Sequence, residues 1–273
     1  MSPAENLHPL DAALALEPIA EGRARGRTHP AWANMVGPFG GITAAQMLQA
    51  ICIDPRRQGE PLALTINYAG AVADGDFEIE ATPVRTTRTT QHWTLALRQG
   101  DALCSTGTAV FAIRRATWSA PELAMPAVPR ADQVPVETRA PPVEWPRRYE
   151  FRFVHGGWPD YRKAQEAADS RSVLWVRDAP PRPLDAPALA AIADVFYPRI
   201  FRRRGRFTPA GTVSITTYFH ADAAALAAQG TRPLLAVAVG RRFTQGFFDQ
   251  GAELWSDDGH LLASSHQVVY FKE

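Results

Sequence analysis

The sequence repeats itself at the level of whole hairpins. Residues 95–111 (LALRQGDALCSTGTAVF) and residues 253–271 (ELWSDDGHLLASSHQVVYF) each place a glycine-containing turn before small residues and an apolar strand end. Gly100 of the first segment aligns with Gly259 of the second. A repeat of this kind indicates two copies of one folding unit. The chain of 273 residues has room for two modules of roughly 100–150 residues each.

The second hairpin contains a polar residue where the pattern requires an apolar one. After the Asp257–Gly259 turn, period-two alternation places Ala263, Ser265 and Val269 on one face of a strand, and Gln267 falls on that same face. A carboxamide among small and apolar neighbours needs hydrogen-bond partners, because an unpaired one costs about 1–3 kcal/mol. Either the fold, an ordered water or a ligand must satisfy it. In the repeat alignment, Thr108 lies opposite Gln267.

The first half of the chain predicts one helix followed by antiparallel strands. A turn, GPFGG, places Gly40 and Gly41 directly before a helix from Ile42 to about Ile51, whose polar line includes Gln46. Four strand patterns follow within residues 62–113, joined by short turns. A helix followed by a strand meander is typical of an α+β fold in which a sheet curls around one buried helix.

The second half repeats this order after a proline-rich segment. We predict an N-terminal module at residues 1–115, a linker at 116–148 and a C-terminal module at 149–273. Asp185 is suited to cap a helix that Pro198 ends, and Asp194 in that helix lies off the apolar stripe, facing solvent or a cleft. A strand beginning at Thr212 follows.

Composition excludes several classes of function. The formal net charge is +1, which predicts no nucleic-acid or anionic-membrane partner. No signal-peptide pattern or apolar run of membrane-spanning length is present, so we expect a cytoplasmic protein. The seven histidines show no metal-ligand spacing, and no G-x-S-x-G motif predicts a serine nucleophile. The two cysteines, Cys52 and Cys104, are too few for a disulfide framework.

On three motifs the chain resembles the type II acyl-CoA thioesterases and their thioesterase-like relatives, which have a double hotdog fold. The motifs are GPFGG at residues 37–41, TYFH at 217–220 and ELWSDDGHLLASSHQ at 253–267. The resemblance implies that Asp194, Thr212 and Gln267 orient a water molecule that hydrolyses an acyl-CoA thioester. It implies no cofactor, because coenzyme A is part of the substrate. The loop after TYFH departs from the family pattern.

Chemistry and position suggest roles for further residues. Helix N-terminal amides near Gly40 and Gly41, or at the second helix, are suited to an oxyanion. The loop carrying Arg203, Arg204 and Arg206 is suited to coenzyme A phosphates. Arginine runs are also common in solvated loops. Because the first helix offers Gln46 where the second offers Asp194, and a carboxamide cannot act as a base, we expect one catalytic centre per chain.

Other interpretations remain open at the level of sequence. Asp194 is compatible with a solvated surface carboxylate, Gln267 with a glutamine paired to backbone, and Thr212 with an ordinary strand residue. A non-catalytic acyl-thioester-binding protein would keep the same pocket, and a hotdog hydratase or dehydratase would need an Asp–His pair that is not found near Asn67 or Asp194. Seven tryptophans favour a homodimer or larger assembly that hides apolar surface.

Overall fold

The computed structural model describes residues 7–163 and 165–273, and its helices and strands follow the predicted order. The helices are α1 (Pro9–Leu14), α2 (Gly40–Cys52), α3 (Ala186–Ile192), α4 (Arg199–Arg204) and α5 (Ala223–Gln229). The strands of the first half are β1 (Glu17–Ala20), β2 (Arg23–Arg27), β3 (Glu60–Tyr68), β4 (Asp76–Thr86), β5 (Thr90–Gln99) and β6 (Ala102–Ala112). Those of the second half are β7 (Tyr149–His155), β8 (Ser172–Asp178), β9 (Ala210–Phe219), β10 (Leu234–Val239), β11 (Phe243–Thr244), β12 (Phe247–Trp255) and β13 (Leu261–Phe271).

The strands described above form one antiparallel sheet, and its two halves have the same strand arrangement related by an approximate two-fold axis. The order is β1-β2-β4-β5-β6-β3-β9-β13-β12-β10-β8-β7, with β11 paired to β12. Strands β3 and β9 form the seam, so one edge strand of each half is covered by the other half. The turns that contain Gly100 and Gly259 connect corresponding strand pairs, β5–β6 and β12–β13. The prediction of an α+β fold with two helix-bearing sheets joined edge to edge is confirmed.

A single row of residues crosses the centre of this sheet. Ile66 pairs with Ile215 at the seam, next to the Thr65–Thr216 pair through which the approximate two-fold axis passes. We call the following buried residues the central row: Leu95, Gly107, Ile66, Ile215, Gln267 and Gln250. Three of them come from each half of the chain, and only the second half contributes carboxamides.

The β-bulges beside the two turns correct the repeat alignment. They leave Cys104 and Leu262 unpaired in the ladders, so these two residues correspond and the structural counterpart of Gln267 is the buried Ala109. Thr108, which the alignment placed opposite Gln267, is exposed on the other face of the sheet. The two turns differ in length, because β5 and β6 are separated by residues 100–101 and β12 and β13 by residues 256–260. A one-residue slip reverses the face on which a side chain lies.

The two central helices pack side by side on the concave face of the sheet. Ten of the 13 residues of α2 are buried, which confirms a helix wrapped nearly all round. The polar Gln46 satisfies its amide by donating to the backbone oxygen of Ala13 at 2.8 Å. A Cβ on Gly41 would lie 2.5 Å from the backbone oxygen of Ala191. Glycine at this position therefore lets α2 and α3 approach closely.

Several elements were not predicted from the sequence. Helix α1 and the β1–β2 hairpin precede the first predicted helix, and α2 begins at Gly40 rather than at Ile42. The segment from residue 125 to 134 packs four side chains against the outer face of the second half, where Trp175 donates its indole N–H to the Pro129 oxygen at 2.9 Å. The proline-rich segment is therefore ordered along the sheet. The module boundaries at 115 and 149 remain predictions.

Candidate active site

Asp194 lies in a tight turn directly after α3. Pro187 in the first turn and the Asp185 side chain, which accepts from the Ala188 amide at 2.8 Å, begin the helix as predicted. The helix ends at Ile192, so the prediction that it continues to Pro198 is wrong. The amide of Asp194 instead donates to the Ala191 oxygen three residues earlier, at 3.1 Å. This turn points the carboxylate into the protein, where only 8% of the residue is exposed.

Gln267 and Thr212 join this carboxylate in one hydrogen-bonded chain. The Gln267 amide nitrogen donates to Asp194 Oδ1 at 2.7 Å, and the Thr212 hydroxyl donates to Gln267 Oε1 at 3.3 Å. Gln267 is 3% exposed. The structure thus brings together the three residues that the resemblance selected, from one helix end and two neighbouring strands. Their catalytic role remains a prediction.

The first half of the chain supplies the opposite wall of the site. The phenol of Tyr68, at the end of β3, donates to the Gly40 oxygen at 2.8 Å. A Cβ placed on Gly40 would lie 2.8 Å from Asp194 Oδ2 and 3.3 Å from the Tyr68 hydroxyl. The absence of a side chain at Gly40 therefore leaves space between a carboxylate and a phenol. Tyr68 was not among the predicted site residues, and its only signal in the sequence is its position at a strand end.

Burial sets the protonation of Asp194. Loss of solvent raises its pKa to about 7, while the Gln267 amide and the nearby backbone amide of Gly41 lower it in part. Burial, with a further contribution from the Asp194 charge, raises the pKa of Tyr68 well above its ordinary value, so this phenol stays protonated. The site thus holds a carboxyl group that changes charge near neutral pH beside neutral hydrogen-bond donors. Such a carboxylate is suited to accept a proton from water.

The arginine-rich segment is not the loop that was predicted. Residues Arg199–Arg204 form α4, and Arg203 donates to the backbone oxygen of Ala167. Arg204 and Arg206 both pair with Glu273, at 2.7 and 2.9 Å. These two guanidinium groups are partly exposed, and ion pairs of this kind contribute little to stability.

Other site types lack support in the described parts of the chain. Residues 7–163 and 165–273 contain no group of three or more His, Cys, Asp or Glu side chains placed to hold a metal ion. None of the helices in these residues has the length and apolar character needed to cross a membrane. Cys104 is buried in β6 and Cys52 is partly buried; both are free thiols.

Comparison with known families identifies two domains along the chain. Residues 28–112 match the acyl-CoA thioesterase N-terminal domain, and residues 123–271 match the acyl-CoA thioesterase C-terminal domain. No curated protein matches the chain.

Solved structures share the fold over nearly the whole length. A hotdog-fold protein of unknown function from Alicyclobacillus acidocaldarius is 45% identical, with 98% of this chain and 99% of the other covered and a TM-score of 0.93. A putative thioesterase II from Thermobifida fusca is 18% identical, covering 98% and 99%, with a TM-score of 0.79. The acyl-CoA thioesterase II TesB2 from Mycobacterium marinum is 18% identical, covering 96% and 98%, with a TM-score of 0.73. The last two similarities show the fold alone.

Proposed function

Because the chain belongs to the acyl-CoA thioesterase family, with that family's N-terminal and C-terminal domains in one polypeptide, we propose that it hydrolyses acyl-CoA to a carboxylic acid and coenzyme A. Family membership supports a thioester hydrolase. The choice of coenzyme A thioesters and the mechanism are our proposals. The observation that carries them is the hydrogen-bonded chain from Thr212 through Gln267 to Asp194.

In this mechanism Asp194 is the general base. Its carboxylate takes a proton from a water molecule as the water oxygen bonds to the thioester carbonyl carbon, and the carbonyl electron pair moves onto oxygen. When that pair returns, the carbon–sulfur bond breaks and the sulfur leaves with the proton from Asp194. A pKa of about 7 suits both proton transfers, because a catalytic group works best when its pKa lies near the working pH.

Gln267 and Thr212 hold the base and its water. Gln267 donates to one oxygen of Asp194, which leaves Oδ2, on the Gly40 side, to accept from the water. Thr212 donates to the Gln267 oxygen and thereby fixes the orientation of its amide group. A side chain whose rotamer is fixed by its neighbours places the reacting groups more reproducibly than a free one.

The remaining parts of the proposal concern binding and assembly. Arg203, Arg204 and Arg206 would bind the coenzyme A phosphates, exchanging their present contacts with Ala167 and Glu273 for charge-assisted phosphate contacts. No cofactor is required for this chemistry. A homodimer or larger assembly and a cytoplasmic location are also proposed, on the sequence grounds given above.

Thiol release from acyl-CoA esters of increasing chain length, with aromatic esters included, tests this function. Asp194→Asn should lower kcat by about 10²–10⁴-fold, the typical contribution of a positioned general base. Gln46→Ala is the matched control and should cost much less, since the Gln46 side chain donates to the Ala13 backbone and not to Asp194, Thr212 or Gln267. Full turnover by Asp194→Asn would refute the assignment of the base. Tight acyl-CoA binding without thiol release from the wild type would indicate a binding protein.

A further inference from the structure

A second carboxamide lies beside Gln267 and has no explained role. Gln250 on β12 is the direct cross-strand partner of Gln267 in the central row. Only 2% of Gln250 is exposed, and its amide nitrogen finds no hydrogen-bond partner in residues 7–163 and 165–273. Buried polar groups are nearly always paired, and an unpaired one opposes folding. The partner of this amide therefore lies outside the described residues, where a bound water or a ligand group would satisfy it.

The position of Gln250 directs it to the same space as Gln267. Side chains directly opposite each other in an antiparallel pair lie on one face, with Cβ atoms about 4.5–5.5 Å apart. Both residues face the helices, because the neighbours of Gln250 two positions away, Phe248 and Ala252, are also buried. The Gln267 amide donates one N–H to Asp194, and its oxygen accepts from the Thr212 hydroxyl. Gln250 is the adjacent carboxamide whose nitrogen has no partner among the described residues.

The pseudo-symmetry of the sheet argues against a purely architectural role. In the first half, the cross-strand pair Trp93 and Ala109 occupies the positions that Gln250 and Gln267 occupy in the second half. A hotdog sheet therefore forms at this point without any carboxamide. Both glutamines occur only in the half that carries Asp194.

The proposed hydrolysis lacks one component that Gln250 would supply. Acyl transfer needs an N–H donor aimed at the carbonyl oxygen as it becomes negative. The backbone amide of Gly41, which was expected to serve the oxyanion, already faces the Asp194 carboxylate and lowers its pKa. We propose that Gln250 is a catalytic residue whose side-chain amide donates a hydrogen bond to the thioester carbonyl oxygen. This inference rests on the function proposed above.

The test compares Gln250→Leu and Gln250→Met with the wild type on the acyl-CoA ester that the wild type hydrolyses fastest. Loss of an oxyanion donor should lower kcat by about 10²–10³-fold, with KM changed little. The thermal midpoint should not fall, because each variant removes a buried unpaired donor. Ser105→Ala is the control, since Ser105 is also buried with an unpaired hydroxyl but lies in the first half; its kcat should match the wild type.

A pH profile separates direct from indirect action. If Gln250 contacts the substrate, kcat plotted against pH should fall on the acid side with the same midpoint in both variants as in the wild type, because Asp194 sets that midpoint. A displaced midpoint would overturn the assignment, because Gln250 would then act through Asp194. Turnover within about threefold of the wild type in both variants would also overturn it, while leaving the hydrolase function intact. Absence of thiol release by the wild type with every ester would instead overturn both proposals.

Discussion

Replacing Asp194 by asparagine should make the folded protein more stable, by an amount that depends on pH. Burial raises the pKa of Asp194 from 3.8 to about 7. One pKa unit corresponds to about 1.4 kcal/mol, so the full shift corresponds to about 4 kcal/mol. Since the folded state holds this proton more tightly than the unfolded chain does, the wild type loses stability as pH rises from about 4 to about 7. Asparagine cannot ionise, and the variant avoids that loss.

Urea unfolding of both proteins between pH 4 and pH 8 measures the effect. The two free energies of unfolding should nearly coincide at pH 4, and the variant should exceed the wild type by up to about 4 kcal/mol at pH 8. Whereas the stability of the wild type falls as pH rises, its turnover should increase, because only ionised Asp194 accepts a proton. Wild-type kcat should therefore fall about tenfold per pH unit below the pKa.

A second buried carboxyl group provides the control. Burial also raises the pKa of Asp178 to about 7, yet this residue makes no hydrogen bond to Gln267 or Thr212. Asp178→Asn should therefore show the same pH-dependent gain in stability with turnover unchanged. A difference between Asp194→Asn and the wild type that stays constant from pH 4 to pH 8 would refute a pKa raised by burial, and with it the base poised near neutrality.

Three further predictions concern binding, space and assembly. Joint replacement of Arg203 and Arg204 by alanine should raise KM for acyl-CoA while kcat stays unchanged, each lost phosphate contact costing about 1.5–3 kcal/mol; an unchanged KM would show that these residues do not bind coenzyme A. Gly40→Ala should lower kcat, because the added methyl group would lie 2.8 Å from Asp194 Oδ2. Gly70→Ala should leave kcat unchanged in the same assay, because the added methyl group would lie in ordinary contact with the Leu103 oxygen, at 3.6 Å. Light scattering should give a mass of at least twice the 29.9 kDa of one chain; a constant monomer mass over a wide concentration range would contradict self-association.

The sequence predicted those features that depend on short-range pattern. Alternation along β13 placed Gln267 on the buried face correctly, because the period of a strand is insensitive to what the strand pairs with. The same test applied to β12 would have found Gln250 between Phe248 and Ala252, so that residue was detectable. The match of Thr108 to Gln267 failed because the two hairpin turns differ in length, which glycine alignment does not reveal.

Other features depend on contacts that no local pattern encodes. Helix α3 ends beside the amino end of α2, where Gly41 lies against the Ala191 oxygen, and this contact joins two segments that are far apart in the sequence. Tyr68 entered the site because β3 meets β9 at the seam, which brings the first half against Asp194. The β1–β2 hairpin was not predicted because its strands, EPIA and RARGR, are short and contain charged residues. Ion pairs with the neighbouring strand β4, such as Arg25 with Glu78, accompany the pairing of β2 in the sheet.

The seam between β3 and β9 also has consequences while the protein is being synthesised. Thr65 and Thr216 meet across it, yet they are 151 residues apart in the chain. At roughly 5–20 residues per second, the ribosome needs on the order of 10–30 s to deliver the second residue after the first. During that interval the nascent first half presents a long unpaired strand edge, which is a template for pairing with another chain. Folding of this chain at high concentration therefore requires either rapid synthesis of the second half or a partner that binds the free edge of β3 until β9 has been synthesised.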